Sequence, residues 1–236
     1  MLRGSGTRRT VTLLAAIGLI GALTAAVSSQ AGASSNVVAA TVSTSHFVPD
    51  TPQAVAFHDQ MRKLWEDHVT WTRLAIVSAV GGTDGVALPD TTATVTRLQQ
   101  NQDDIGAAIV PYFGQAAGDR LATLLHEHIS GAVTLLLAAK GGDAAGVEAA
   151  KTAWYANGQQ IADFLSTANP KYWPDDMMRE DMQAHLDQTL QEAVDQIQHN
   201  VDKEAGDYEA AHQHILMMAD LLSSGIIQRF RDKFDQ

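Results

Sequence analysis

Four histidines, His68, His128, His185 and His212, stand where apolar helix faces are expected. His128 shares a helical face with Leu121, Leu124, Leu125 and Ala132. His185 recurs with Met178, Met182, Thr189 and Glu192 at steps of three and four. His212 goes with Tyr208, Ile215 and Ala219, and Glu209 precedes it by three; His68 sits near Leu64, Trp65 and Trp71. Burying such groups is costly unless each finds a partner. Imidazoles offered by several helices to one interior are how bundles build metal or ligand sites. The pattern therefore predicts that His68, His128, His185 and His212 converge, with Glu192 close enough to accept a hydrogen bond or bind a cation. A first-row transition metal or a small ligand is the expected occupant. Two other readings use the same residues: a polar network that only specifies packing, and an enzyme with the His/Glu cluster as acid and base.

The methionines extend the metal reading toward copper. Met178, Met182 and His185 fall at i, i+4, i+7, and His214, Met217 and Met218 at i, i+3, i+4. Thioether with imidazole suits copper(I), whereas the same methionines also serve as fillers of irregular core gaps. His126 and His128 are two apart, as are His212 and His214, so the members of each pair face different ways on a helix. His126-Glu127-His128 is not a zinc-protease motif, because its second histidine is two residues after the first instead of four. Only Glu209-Ala210-Ala211-His212 has the Glu-x-x-His spacing of a di-iron carboxylate site, which needs two such helices. No Gly-x-Ser-x-Gly elbow is present, and no spacing marks a Ser/His/Asp triad.

Composition removes further classes. The 236 residues contain no cysteine, which excludes disulfides, thiolate zinc sites, iron–sulfur clusters and cysteine catalysis. Asp+Glu outnumber Lys+Arg by 27 to 16, for a net charge of −11, and nucleic acid is a poor partner for such a chain. Hydrophobic residues reach 45%, enough for a buried core.

The first segment reads as targeting. Arg3, Arg8 and Arg9 precede an apolar run from Val11 to Val27, and small residues lead to Ala31-Gly32-Ala33. That is the grammar of a secretory signal peptide over residues 1–33, with cleavage before Ser34 and an extracytoplasmic mature protein. The run is marginal as a membrane anchor of about 20 residues, so no stable membrane span is expected after cleavage. Arg8-Arg9 faintly resembles a twin-arginine signal without its aromatic and lysine positions. Residues 34–50, rich in Ser, Thr and Val, read as a flexible leader.

Residues 51–236 read as one all-α domain, a bundle of about six helices. Thr51-Pro52 opens the first, which Gly81-Gly82 ends. Asp90-Thr91-Thr92 caps the second, which Pro111 and Gly114 break. The third runs from about Ala116 to Lys140, and the fourth from the Asp143 cap to Asn169-Pro170. The fifth spans Pro174 to about His199, and the sixth carries Tyr208, Ile215, Ala219, Leu222 and Ile226. Asn101-Gln102-Asp103-Asp104-Ile105 echoes Asn157-Gly158-Gln159-Gln160-Ile161. A Pro-aromatic break and a histidine-bearing helix follow each, with His128 23 positions after Ile105 and His185 24 after Ile161. This predicts two related hairpins flanked by a first and a last helix.

Leu64-Trp65-Glu66-Asp67-His68-Val69-Thr70-Trp71-Thr72-Arg73, Leu88-Pro89-Asp90, Asn101-Gln102-Asp103-Asp104-Ile105, Trp154-Tyr155-Ala156-Asn157 and Met218-Ala219-Asp220 resemble a poorly characterised family of bacterial, mostly helical proteins, often exported. The likeness covers residues 57–230. It implies an all-helical fold and little about activity. Members carry labels such as glycosyltransferase or acetylglutamate kinase, but this chain has neither the strand–helix alternation nor the Gly-rich nucleotide loop of such enzymes.

Overall fold

The computed structural model describes residues 48–82 and 86–235. The expected signal peptide (1–33) and all of the leader except residues 48–50 lie outside the described residues. Six helices follow: α1 Pro52–Val80, α2 Thr91–Phe113, α3 Gln115–Lys140, α4 Ala144–Ala168, α5 Asp175–Ile197 and α6 Val201–Arg229. A 3-10 turn, Arg231–Lys233, ends the chain, and no strand occurs among the described residues.

Local signals set most boundaries. The Thr51 hydroxyl accepts from the Ala54 N–H at 3.1 Å, with Pro52 in the first turn, and also donates to the Phe234 carbonyl at 2.7 Å, tying the two ends of the bundle. Asp143 caps α4 by accepting from the Gly146 N–H at 3.0 Å. Two expectations fail. The Asp90 carboxylate makes no cap bond; instead the Thr91 hydroxyl donates to the Leu88 carbonyl. Pro111 does not break α2 but sits inside it, two residues before the end. A proline forfeits one N–H and crowds the preceding turn, and this loss falls where α2 is already ending. Gly114, at φ +87°, makes the turn into α3 alone, in a conformation that a side chain would strain.

Each helix packs on the next in sequence, and α6 returns to α1, closing a ring in which α1 also touches α3 and α5. Short connections force antiparallel neighbours. The backbones of α2 and α3 come close at a pair of glycines, where a Cβ on Gly106 would stand 2.8 Å from the Gly118 carbonyl oxygen. By length and composition α3 is apolar enough to cross a bilayer; here it packs against α2 and α4, with Leu121, Leu124, Leu125 and Ile129 buried.

The predicted echo is real in position and goes further than predicted. Asn101 on α2 donates its side-chain N–H to the Leu64 carbonyl at 3.0 Å, and Asn157 on α4 donates to Leu124 at 3.1 Å. Leu64 and Leu124 each lie four residues before a buried histidine, His68 or His128. On α6, His214 Nε2 lies 3.1 Å from the Asp181 carbonyl, and Asp181 lies four residues before His185. One arrangement therefore occurs three times, in the hairpins α1–α2, α3–α4 and α5–α6. Positions seven before the histidine (Met61, Leu121, Met178) are all buried, and so are those one after it (Val69, Ile129, Leu186). The predicted pairing of α2 with α3 and of α4 with α5 is thus shifted by one helix: α1 and α6, expected as flanking helices, belong to the first and the third hairpin.

Candidate functional site

The three repeated histidines meet inside the ring. His68 and His185 have ring centroids 5.9 Å apart, as do His128 and His185. The fourth ring is that of His214, stacked at 6.5 Å from His185 with planes 12° apart. Of the predicted set, His68, His128 and His185 are brought together and His212 is not. His212 lies over Tyr208 at 5.9 Å and meets Glu66 at 3.4 Å, with 23% of its side chain exposed. The buried stripe of α6 runs through Ala211, Ile215, Met218 and Leu222. His214 lies one turn from Ala211 and Met218, whereas His212 lies one turn from half-exposed Tyr208 and Leu216.

Hydrogen bonds fix two of the rings. The Asn157 amide already donates to Leu124, so its oxygen faces His128 Nδ1, at 3.0 Å, and that nitrogen carries the proton. His214 Nε2, facing a backbone carbonyl, must likewise be the donor. His128 Nε2 and His214 Nδ1 are then lone-pair nitrogens when the rings are neutral. The Nδ1 atoms of His68 and His185 are buried without a hydrogen-bond partner.

Three of the rings, His68, His128 and His185, are held uncharged. Burial, assisted by the charge His128 would carry, lowers His68 from 6.5 to about 3, outweighing the raising effect of Gln102. Burial lowers His128 to about 4 against the bond to Asn157. His185 falls well below its ordinary value through burial and through His68, His128 and His214.

Glu192 is buried as predicted but belongs to a different centre. Arg73 clamps Glu204 with both terminal nitrogens, one at 2.9 Å from Oε2, reaches Glu192 at 3.4 Å and lies 4.5 Å over the Tyr208 ring. Two buried carboxylates thus share one guanidinium. Burial, with the Glu204 charge adding to it and Arg73 opposing it, raises Glu192 from 4.5 to about 7.

The methionines of the copper reading lie in different environments. Met217 is 61% exposed, about 100° around α6 from buried Met218. Met178 and Met182 are buried in the main apolar core, and Met182 packs where a Cβ on Gly158 would lie 3.2 Å from its Cγ. Among the described residues no three His, Asp or Glu side chains are placed to hold a metal ion. Three imidazoles around a tetrahedral ion, at Zn–N of about 2.0–2.1 Å, bring their centroids to about 5 Å, and the present 5.9 Å is wider.

One turn beyond the imidazoles the interior changes character. Thr72, Ala132 and Thr189, each four residues after its histidine, line a cavity of about 150 Å³ between α1, α2, α3 and α5. The apolar core is split here: Ile76, Ala79, Val80 and Leu136 form one cluster, and Ala75, Leu98 and Ile129 another, apart from the main one. At ~24 cal/mol per Å³, leaving such a volume empty costs on the order of 3–4 kcal/mol. Trp154 separates the two regions: it lines the cavity, stacks on His128 at 5.2 Å and donates its indole N–H to the His128 carbonyl at 3.1 Å.

The repeated histidines were visible in the sequence, 60 and 57 residues apart, with apolar residues at matching offsets. The offsets could have nominated His214, which aligns with Asn101 and Asn157, but the match joins histidine to asparagine and leaves no identity to notice. No family model matches the chain, and neither a curated protein nor a solved structure matches it.

Proposed function

We propose that the protein is an exported binding protein whose site is the imidazole layer of His68, His128, His185 and His214, and whose ligand is a small molecule presenting N–H or O–H groups. The observation that carries this is the pair of buried, unpartnered Nδ1 atoms of His68 and His185 beside two rings whose tautomers are fixed. A neutral imidazole has one donor and one acceptor nitrogen, and a buried nitrogen of either kind without a partner costs about 1–3 kcal/mol. Export rests on Arg3, Arg8, Arg9, the apolar run and Ala31-Gly32-Ala33.

A transition metal is the second reading. It is favoured by the second-layer bonds of Asn157 and Asp181, which orient rings as they do in metal sites, and it requires the rings to close by less than 1 Å from 5.9 Å. Native mass spectrometry and metal analysis of protein recovered from the extracytoplasmic fraction, with thermal melts of wild type and His185→Ala in zinc(II) or copper(I), separate the readings. A bound non-protein mass lost in His185→Ala supports the small ligand. A metal that raises the wild-type melting temperature alone replaces that ligand with an ion. Neither mass nor shift leaves a network that only specifies packing.

A further inference from the structure

We infer that the apolar cavity between α1, α2, α3 and α5 is a second binding site, independent of the imidazole layer, for an uncharged apolar molecule of about the size of benzene. The lining contains four residues with a polar side-chain atom, Thr72, Thr91, Trp154 and Thr189. All four spend their one side-chain polar hydrogen on a backbone carbonyl. The Thr72 hydroxyl donates to the His68 carbonyl at 2.8 Å, Thr91 to Leu88 at 2.8 Å and Thr189 to His185 at 2.9 Å, and the Trp154 indole donates to His128 at 3.1 Å. The remaining lining is aliphatic or alanine.

Such a wall discriminates by what it lacks. An ordered water needs two to four polar partners, and a cavity of this kind stays dry; about 150 Å³ is the volume at which an engineered apolar cavity takes up benzene. A carboxylate or ammonium would lose its hydration without compensation. A peptide helix is about 10 Å across and does not fit the 150 Å³ available. The space is left by alanines, Ala75, Ala79, Ala132 and Ala193 among them, whose methyl groups do not reach across between the helices. The lining reaches the surface at Leu137, which is 54% exposed, while Ala75, Ile76 and Leu98 in the same lining are buried.

The test is thermal unfolding of the full chain with benzene, p-xylene and benzoate as probes, on wild type and on Ala132→Leu and Ala193→Leu, which fill the cavity from opposite walls. At about ten times its dissociation constant, benzene raises the wild-type melting temperature by about 3–6 °C. Benzoate leaves it unchanged. Either filling variant that folds loses the benzene shift, whereas His185→Ala, which acts on the imidazole layer, keeps it. Absence of a benzene or p-xylene shift in the wild type overturns the inference whatever the variants do. An equal shift with benzoate, or a shift that persists in both filling variants, overturns it also.

Discussion

His214 approaches the Asp181 carbonyl at 3.1 Å in the place where Asn101 and Asn157 bond to Leu64 and Leu124. A carbonyl four residues before the buried histidine is thus met by a side-chain N–H from the following helix in every hairpin. The carbonyl also serves its own helix, and its second lone pair is what the incoming donor occupies. His214→Asn restores the residue type of the other two hairpins and should cost less than about 1 kcal/mol. His214→Leu deprives a buried carbonyl of its donor and should cost about 1–3 kcal/mol. Urea denaturation of both variants measures the difference; equal losses would show that the bond to Asp181 is incidental.

Acid should destabilise the fold before carboxylates are titrated. His68 and His128 have values lowered to about 3 and about 4, and His185 is lowered as well. The unfolded chain takes up these protons near 6.5 and the folded chain does not. The stability they contribute is complete above 6.5 and is lost as pH falls toward 4, at up to about 1.4 kcal/mol per pH unit for each group. Glu192 has the opposite sign: its value is raised from 4.5 to about 7, so its contribution is present below 4.5 and lost as pH rises through 7. Between 4.5 and 6.5 three histidines outweigh one glutamate. Denaturation at pH 5, 6, 7 and 8 should show stability rising from 5 to about 7 and level above it, and Glu192→Gln, which removes the opposing term, should steepen the rise between 5 and 7. Greater stability at pH 5 than at pH 7 would contradict a neutral imidazole layer.

Arg73 holds two buried carboxylates at once, Glu192 and Glu204. Arg73→Met keeps much of the stem that packs along the helix and removes the charge. It leaves the pair unbalanced, at a cost of about 3–5 kcal/mol. In a Glu192→Gln/Glu204→Gln background the same substitution has no buried charge to strand, and its cost should drop below about 1.5 kcal/mol. A double-mutant cycle read by thermal or urea unfolding gives the coupling directly. An unchanged cost in the double-Gln background would mean that Arg73 acts through its packing on Tyr208 alone.

The sequence by itself determined the helices and the faces they bury. Apolar spacing near 3.6 residues needs no tertiary information, and it placed His68, His128 and His185 inward because each follows apolar residues on the same face, Leu64 and Trp65, Leu124 and Leu125, and Met178 and Met182. Thr51-Pro52, Asp143 and the glycines after α1 and α3 marked ends through backbone chemistry that is local in the same sense. The choice between His212 and His214 was not local. Both border the apolar stripe of α6, and which one is covered depends on where α5 lies against it. Glu192 shows the same limit: its place on the inner face of α5 was legible, but its partner is Arg73, 119 residues earlier in the chain, and only the closure of the ring that packs α5 and α6 around α1 joins them. The cavity was the least legible of all. Alanines in a helix read as good helix formers, and whether the space beside them is filled is decided by how far apart the neighbouring helices are held.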